Sequence, residues 1–443
     1  MSTLWSWPEI SHALLNQKEC GPDVQRVAFD SRQVVSGDLF FALAGDPGQR
    51  FNPSARSAID GHDFLRDAQA NGAVGAVVQR PIAGCDLPQV VVGDTYDALW
   101  QLGRAARKRL GKPVVAVTGS SGKTTAKRFL AAALNAYAPP GSFNNHIGVP
   151  LSLANAAIEA PAWVFEVGTN HPGEIEPLTE LVRPHCSILL NVHNAHIENF
   201  PSREGLIDEK CSIFAHLQGP QLRIAEDTLA LEGYRFGFSA GSHAQVLEVN
   251  GDLLNLQLFG RKLRARVPGG GQHRALTLAA VILATELLGV DTAAALALEE
   301  NAVPQGRGNV LHCAGIDLID DSYNANPVSM QAALRAFAQK SVSGRKFVLL
   351  GEMLELGEVS SGAHKAIIEG VSQFDACFLV GAGFAESSDA HAFHCDSADA
   401  MLIGRLVDIL RPGDSLLIKG SNRVFWATDF VQQLEQALRE SKS

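Results

Sequence analysis

Apolar residues along the chain alternate between short strand-like runs and longer stretches with helical spacing. In the first 110 residues, strand-like segments at 24–45 and 73–80 flank a helical piece, DFLRDAQANG. From residue 113 to about 303, the pattern predicts strands at VVAVTG, AWVFEVG and CSILLNV, with helical text such as AKRFLAAALNA between them. Strands that alternate with helices predict a parallel sheet with crossover helices.

Two later stretches change this pattern. Between Gln221 and Val267 the sequence is rich in strand formers, and VNGDLL contains an Asn-Gly turn signal, which predicts an antiparallel insertion or an extension of the sheet. A third α/β unit begins near Gly306, with strands predicted at GIDLIDD, KFVLLGE, ACFLVG and SLLIKG. Polar segments follow these strands, at DDSYNANP, GEMLELG, GAGF and KGSNR. Ligands bind outside the carboxyl ends of parallel strands, so the four endings predict a ligand-binding face.

The length of the chain indicates several domains. Its 443 residues exceed the size at which single hydrophobic cores stop growing. Length alone predicts two or three domains, and the changes of pattern near residues 110 and 304 favour three within an α/β protein. They are a small N-terminal α/β module at 1–110, a central P-loop parallel-sheet domain at 111–304 and a C-terminal Rossmann-like domain at 305–443.

Composition and charge argue against several classes of protein. The chain is 46% hydrophobic and 19% charged, which is typical of a globular protein rather than a disordered one. It contains no run of eighteen apolar residues, and its start, MSTLWSWPEI, lacks the features of a signal peptide, so we expect a cytoplasmic protein without membrane insertion. A net charge of −10 without a large basic patch argues against nucleic-acid binding. Seven scattered cysteines without a CxxC pair indicate buried thiols rather than disulfides or a zinc site.

The segment VVAVTGSSGKTTAKRFL, residues 114–130, places a glycine-rich turn between a strand and a helix. Backbone N–H groups of the turn at 118–122 are expected to meet phosphate oxygens at the helix N-terminus. Lys123 adds a charge for the terminal phosphates, and the Thr124 hydroxyl can ligate magnesium. Val117 stands where the full phosphate-loop pattern has Gly, so the loop is a variant. The alternative is a glycine-rich turn without a nucleotide.

Two other strand ends carry candidate metal ligands. Glu166 closes AWVFEVG, and His196 follows CSILLNV, at the same predicted sheet edge as the phosphate loop. Together they could hold a second divalent ion beside the γ-phosphate. A carboxylate that ends a hydrophobic strand is costly to bury without a partner, whereas a loop histidine can also be a solvated or capping group.

Several motifs are similar to those of the Mur ligases, the ATP-dependent enzymes that add amino acids to the peptidoglycan precursor. The phosphate loop TGSSGKTT is one of them, and the most discriminating are DDSYNANP and the E-x-G-x-N-x-P-G-E-I pattern at 166–175. The similarity extends to FNNHIGVPLSL, NVHNAHIENF, LGEMLELG, IKGSN and the N-terminal DSRQVVSGDLFFAL and DGHDF, so it covers nearly the whole chain. It is strongest to the members that form the last amide bond of the precursor peptide.

The resemblance implies an activity and its partners. It implies an ATP- and Mg²⁺-dependent ligase that adds D-alanyl-D-alanine to UDP-N-acetylmuramoyl-tripeptide through an acyl phosphate. The N-terminal module would bind the UDP-sugar, the central domain ATP, and the C-terminal domain the incoming amine. The partners would be these small molecules alone, and the protein would be a monomer.

The resemblance also implies roles for individual residues. The implied catalytic residues are Lys123, Lys210 and Arg307. The implied metal ligands are Thr124, Glu166, His196 and Lys210. The implied nucleotide-binding residues are Gly119, Ser120, Ser121, Gly122, Lys123, Thr124, Thr125, Asn145, His273, Arg307, Asp321 and Asn326. The implied UDP-sugar-binding residues are Ser31, Arg32, Asp60 and His62.

Lys210 is the position where the resemblance and the residues alone give different interpretations. In the family, the matching lysine is carbamylated and orients a metal ion. Without the resemblance, Lys210 in DEKCSIF would be interpreted as an exposed helix lysine.

Three departures from the family pattern concern the substrate more than the reaction. Thr277 stands where the family usually has an Asn associated with adenine recognition, Asn199 stands where Gly is usual, and the stretch at 45–64 is longer. Two alternatives stay open at this point. One is a ligase of the same type with another acid and amine, and the other is a non-catalytic nucleotide-binding homologue.

Overall fold

The structure is a computed structural model that describes residues 3–45, 59–111, 113–193, 197–224, 232–354, 356–385 and 392–441. His196 and most of the long stretch at 45–64 lie outside these residues. The chain forms two compact units. The first contains Met1–Gly119, Leu134–Leu189 and Asn199–Leu222, and the second contains Ser120–Ala133, Leu190–Glu198 and Arg223–Ser443.

The first unit opens with a small parallel sheet. Its elements in chain order are α1 (Trp7–Leu15), β1 (Arg26–Ala28), β2 (Asp38–Phe41), α2 (Leu65–Ala70), β3 (Gly75–Val78), β4 (Gln89–Val91) and α3 (Thr95–Arg109). The four strands pair in sequence order and are all parallel. This confirms the strands predicted in 24–45 and 73–80 and the helix predicted in DFLRDAQANG.

The central strands surround the strand that leads into the phosphate loop. The next elements are β5 (Val114–Thr118), α4 (Lys123–Leu134), α5 (Gly148–Ala154), β6 (Trp163–Glu166), α6 (Ile175–Val182), β7 (Cys186–Leu189) and α7 (Arg203–Cys211). β5 is fully buried and pairs in parallel with β6 on one side and β7 on the other. The register places Glu166 beside Val117, at the end of the phosphate-loop strand. The predicted parallel sheet is confirmed.

Helix α5 connects the N-terminal sheet to the central strands within the first unit. Asn155, at the end of α5, accepts a hydrogen bond from Val27 N at 2.8 Å and donates one to Val27 O at 2.9 Å. The indole of Trp100 on α3 donates to the carbonyl of His146 at 2.8 Å. These bonds explain why the N-terminal module and the central strands share one unit.

The second unit includes a β-rich segment. Its elements are β8 (Gln221–Ile224), which lies at the boundary of the units, β9 (Tyr234–Gly237), β10 (Ala244–Asn250), β11 (Leu253–Leu258), β12 (Arg261–Arg266), α8 (Gln272–Leu287) and α9 (Ala293–Leu296). β10, β11 and β12 are antiparallel neighbours, and Gly251 in the predicted Asn-Gly turn has a φ of 62°. β9, however, pairs with β10 in parallel, so the expectation of an antiparallel insertion is wrong for that strand.

The C-terminal part of the second unit is built on a six-stranded sheet. Its elements are β13 (Asn309–Cys313), β14 (Ile316–Asp321), α10 (Pro327–Gln339), β15 (Lys346–Gly351), α11 (Ser360–Ile368), β16 (Ala376–Val380), β17 (Ala392–Cys395), α12 (Ala400–Ile409), β18 (Ser415–Lys419) and α13 (Phe430–Ser441). The strand order is β13-β14-β18-β15-β16-β17, with β13 antiparallel to β14 and the others parallel. The four predicted polar endings therefore lie at one edge, as expected.

Two other expectations concern the whole chain. Across the described ranges, no helix is both long and apolar enough to cross a membrane. Cys186, Cys313 and Cys377 are buried, but Cys20 is exposed, so the expectation of buried thiols is wrong for Cys20.

Asp414 supports the other edge of the C-terminal sheet, where β15 and β18 begin. Its carboxylate accepts a hydrogen bond from the Arg345 guanidinium at 2.6 Å and from the backbone N–H groups of Arg345 and Arg411, each at 2.9 Å. Burial alone would raise the pKa of the Asp414 carboxyl, but the hydrogen bonds from Arg345 and Arg411 outweigh it and hold this pKa below its ordinary value.

We expect Asp414→Asn to lower the free energy of unfolding at neutral pH by about 1.5–3 kcal/mol, the range for hydrogen bonds to a charged group. A carboxyl with a depressed folded pKa stabilises the protein above its unfolded pKa of about 3.9, and this stability is lost as the pH falls through the folded pKa. Urea unfolding at a series of pH values should therefore show a shallower acid decline in the variant. The exposed Asp408→Asn on α12 serves as the control, and equal effects of the two variants would contradict the assignment.

Candidate functional site

The phosphate-loop turn is hydrogen-bonded to the segment that follows β7. The N–H of Ser120 donates to Asn191 O at 3.1 Å, and its hydroxyl donates to His193 O at 3.0 Å. The N–H of Ser121 donates to Asn191 Oδ1 at 3.0 Å. Two amides of the turn are thus used within the protein, which differs from the expectation that they face a phosphate. Phosphate binding by the start of α4, at Lys123, stays a prediction.

Gly122 and Thr277 bring α8 close to this turn. Gly122 has a φ of 81°, a conformation that favours glycine, and a Cβ there would lie 3.6 Å from the Thr277 hydroxyl. The Thr277 hydroxyl in turn donates to His273 O at 3.2 Å. Burial and the nearby charges of Arg274, Lys419 and Arg335 hold the pKa of His273 well below its ordinary value. His273 is therefore a neutral imidazole at neutral pH.

The backbone around Arg307 is fixed by two buried charged residues. The guanidinium of Arg274 donates to Arg307 O at 2.8 Å. The carboxylate of Asp320 accepts from Gly306 N at 3.1 Å and from the N–H and hydroxyl of Ser322 at 3.2 and 2.5 Å. Neither Arg274 nor Asp320 was identified from the sequence. Both lie next to identified residues, His273 and Asp321, and this proximity was the available signal.

The turn itself has room for one side chain. Gly306 has a φ of 68°, and a Cβ there would lie 2.5 Å from the ring of Trp426. Gly308 has a φ of 86°, and a Cβ there would collide with the Arg274 guanidinium. Both glycines are required by conformation and by space, so Arg307 provides the only side chain of the Gly306–Gly308 turn.

The guanidinium of Arg307 packs on the Tyr323 ring, which in turn contacts Trp426. Its Cζ lies 4.1 Å from the centre of the Tyr323 ring, and Tyr323 packs edge-on against Trp426 with 5.2 Å between ring centres. Among the described residues, the buried Nε of Arg307 has no hydrogen-bond partner. A positioned guanidinium with an unused N–H is suited to bind an anion.

Asp321, the implied ribose-binding carboxylate, is paired with a lysine. Its Oδ2 lies 2.8 Å from Nζ of Lys419, which also donates to Asn324 O at 3.0 Å. Burial lowers the pKa of Lys419, the Asp321 carboxylate opposes this shift, and the charges of Arg307 and Arg274 add to it. Lys419 lies in the IKGSN motif, and neither the motif nor the resemblance implied a role for it.

The side-chain amides of Asn326 and Asn145 both accept a backbone hydrogen bond near the start of a helix. Asn326 accepts from Ser329 N at 2.8 Å at the start of α10, and Asn145 accepts from Gly148 N at 2.8 Å at the start of α5. These bonds use one amide oxygen each. The implied nucleotide contacts of Asn326 and Asn145 stay predictions.

Two implied metal-binding residues of the first unit are deeply buried. Glu166 is 1% exposed at the end of β6, and Lys210 is 2% exposed on α7. The interpretation of Lys210 as an exposed helix lysine is therefore wrong. The nine residues of α7 contain few apolar positions, so the sequence pattern did not show which face of the helix is buried.

The described residues do not form a complete metal cage. Within them, no group of three or more His, Cys, Asp or Glu side chains converges on a common point. Mg²⁺ is usually held by one or two carboxylates together with substrate phosphates and water. The hydroxyl of Thr124 and the carboxylate of Glu166 are oxygen ligands of the kind that Mg²⁺ prefers, so these residues fit it.

Two of the implied UDP-sugar residues lie in a short 3₁₀ helix at Ser31–Gln33. Ser31 is buried, whereas the Arg32 side chain is exposed and its guanidinium donates to Asp30 at 2.9 and 2.8 Å. Arg32 is thus presented on the surface of the N-terminal module by its pairing with Asp30.

The other two implied UDP-sugar residues, Asp60 and His62, lie in a turn that hydrogen bonds hold in place. His62 is fully buried; its Nε2 accepts from Gln79 N at 2.8 Å, so its Nδ1 carries the proton and donates to Asp60 at 2.6 Å. Asp60 also lies 3.2 Å from the Arg80 guanidinium. With both ring nitrogens occupied, His62 is placed to orient Asp60 rather than to meet a ligand itself.

Comparisons with known proteins agree with this arrangement. The Mur ligase middle domain matches residues 117–268, and the Mur ligase glutamate ligase domain matches residues 306–422. A UDP-N-acetylmuramoyl-tripeptide--D-alanyl-D-alanine ligase of Escherichia coli is 33% identical over 80% of this chain and 81% of its own length. The enzyme of the same name from Treponema pallidum is 30% identical over 99% of this chain and all of its own length.

Solved structures show the same relationship. A crystal structure of MurF from Acinetobacter baumannii matches with a TM-score of 0.81 and 28% identity, and covers 98% of this chain and 99% of that one. MurF ligase from Thermotoga maritima in complex with ADP matches with a TM-score of 0.77 and 27% identity, over 95% and 99% of the two chains. The chain therefore has the three-domain Mur ligase architecture, and it belongs to the Mur ligase family, among the UDP-N-acetylmuramoyl-tripeptide--D-alanyl-D-alanine ligases.

Proposed function

We propose that this protein is an ATP-dependent ligase that joins D-alanyl-D-alanine to UDP-N-acetylmuramoyl-tripeptide in peptidoglycan precursor synthesis. The observation that carries this proposal is the match to relatives of that name along nearly the whole chain, N-terminal module included. In this proposal the segments 1–110, 111–304 and 305–443 bind the UDP-sugar, ATP and the incoming amine, respectively. The protein acts as a cytoplasmic monomer, and the scattered cysteines support that compartment.

The reaction has two steps. An oxygen of the tripeptide carboxylate forms a bond to the γ-phosphorus of ATP as the bond to ADP breaks. The amine of D-alanyl-D-alanine then attacks the acyl carbon, loses a proton and expels phosphate, which leaves an amide. The first step brings two anions together, so positive groups must offset their repulsion.

Two cationic side chains of the second unit fit that task. Lys123 begins α4, where a phosphate meets both its charge and the helix N-terminus. Arg307 is held by Tyr323 and by the fixed backbone of its turn, with Nε unused among the described residues. Ligation of Mg²⁺ by Thr124, Glu166, His196 and a carbamylated Lys210 is part of the proposal. Bound Mg²⁺ would offset phosphate charge in the transition state.

The direct test is product formation. The protein is incubated with ATP, Mg²⁺, UDP-N-acetylmuramoyl-tripeptide and D-alanyl-D-alanine, and the pentapeptide product is measured by mass. Reactions without ATP or without the dipeptide are the controls. Phosphate release with a different acid and amine, but not with this pair, would instead support a related amide ligase. ATP binding without any turnover would support the non-catalytic homologue.

Tyr323 provides a sharper test of Arg307. Replacing Tyr323 with leucine removes the ring under the guanidinium and should lower kcat about threefold to tenfold, in line with a cation–π contact of about 1 kcal/mol. Tyr323→Phe keeps the ring and should retain wild-type kcat. Steady-state kinetics with saturating substrates separates the two variants. If leucine and phenylalanine behave alike, the ring does not position Arg307.

A further inference from the structure

Glu209 is a buried carboxylate next to Lys210 on α7. It is 7% exposed, and an ionised carboxylate at such a site requires hydrogen bonds to offset its loss of water. Its sequence neighbour Asp208 is exposed, so the helix buries one of two adjacent acidic side chains. Neither the motifs nor the resemblance assigned a role to Glu209.

The Glu209 carboxylate accepts three backbone hydrogen bonds from one short segment. Gly173 N donates to one oxygen at 2.6 Å, and Glu174 N and Ile175 N donate to the other at 3.0 and 2.7 Å. These three amides lie at the N-terminus of α6, where amides lack acceptors within the helix and the helix dipole favours negative charge. Glu209 thus satisfies donors that would otherwise be left without acceptors, and its own charge is stabilised in return.

The segment that Glu209 holds is the end of the loop that starts at Glu166. Along this loop, Gly168 N donates to Asn144 O at 2.8 Å. The Glu174 carboxylate accepts from Asn170 N at 2.7 Å and from His171 N at 3.0 Å. The loop is therefore hydrogen-bonded along its length, and Glu209 joins it to the helix that carries Lys210.

We propose that Glu209 is a positioning residue that holds Lys210 and the loop after Glu166 in one fixed arrangement. This inference rests on the proposed function, in which both Glu166 and a carbamylated Lys210 orient a metal ion. Three converging N–H donors require a group that only accepts. The amide of glutamine would direct its own NH₂ at one of them, although it has almost the same size. Glu209→Gln is therefore a near-isosteric test.

The experiment compares Glu209→Gln with Asp208→Asn, which removes the same charge from an exposed position of α7. At a temperature where circular dichroism shows both variants folded, Glu209→Gln should lose about tenfold or more in kcat and need more Mg²⁺ for half-maximal rate. Asp208→Asn should match the wild type. A purely stabilising role for Glu209 predicts a lower Tm with unchanged kinetics and Mg²⁺ dependence, and that result would overturn the proposal.

Two measurements do not depend on turnover. Hydrogen–deuterium exchange of a peptide covering 169–176 should be faster in Glu209→Gln than in the wild type. The carbamate signal in ¹³C spectra with labelled bicarbonate should be weaker. Unchanged exchange and an unchanged carbamate signal would overturn the role of Glu209. If the wild type forms no pentapeptide, the proposed function fails separately, while these two measurements still decide whether Glu209 positions Lys210.

Discussion

Replacing Lys123 with alanine is expected to abolish ATP-dependent phosphate release while leaving the fold intact. Lys123 is the lysine of the Gly-Lys-Thr segment and the first residue of α4. In the proposed function its ammonium meets the terminal phosphate at the helix N-terminus. Loss of such a preorganised charge costs about 10²- to 10³-fold in kcat. A phosphate-release assay at saturating ATP measures the effect.

The matched control for Lys123 is Arg128→Ala, which removes an exposed cation from the same helix. It should keep wild-type turnover, because surface truncations change stability by about 0.5 kcal/mol or less. Circular dichroism establishes that both variants are folded. Near-normal turnover of Lys123→Ala would contradict the phosphate-loop assignment.

Lys210→Ala should also lose most of the activity, for a different reason. The neutral amine of lysine can add to CO₂, forming an N–C bond and releasing a proton, and the resulting carbamate carries a negative charge that can orient a metal ion. If that carbamate is required, short carboxylates such as acetate should restore part of the lost activity by occupying the vacated anion site. An activity titration with acetate measures this rescue.

The control for Lys210 is Arg203→Ala, which removes an exposed cation from the same helix. It should show wild-type turnover with no response to acetate. Because the carbamate forms from CO₂ and the neutral amine, activity of the wild type should rise with bicarbonate and with pH. A fully active Lys210→Ala protein would remove Lys210 from the mechanism.

Strands could be predicted from the sequence where a continuous apolar run corresponds to a strand that is buried on both faces. VVAVTG and SLLIKG are continuous apolar runs between polar segments, and both are buried parallel strands. β13 and β17 were missed because edge strands bury few side chains and therefore lack such runs. β9 and β10 pair in parallel although they are neighbours in the chain, and the pattern of such short strands does not specify their relative direction.

The residues that support the site could not be predicted in the same way. Glu209, Arg274 and Lys419 act through hydrogen bonds to groups that lie between 33 and 95 positions away in the chain. Such partners are set by the tertiary fold, so sequence spacing alone gives no sign of them. Motif resemblance, in contrast, located Arg307 and Asp321, because those residues lie inside short segments with a recognisable order.

The Gly306–Gly308 turn limits how this enzyme can diversify. A side chain at Gly306 would collide with Trp426, and one at Gly308 would collide with Arg274. Both positions also have a positive φ, which favours glycine whatever the substrate. Under the proposed function, changes in specificity for the incoming amine must therefore accumulate elsewhere, for instance at the polar strand endings of the same sheet. The turn thus fixes the backbone position of Arg307 independently of any change made at those endings.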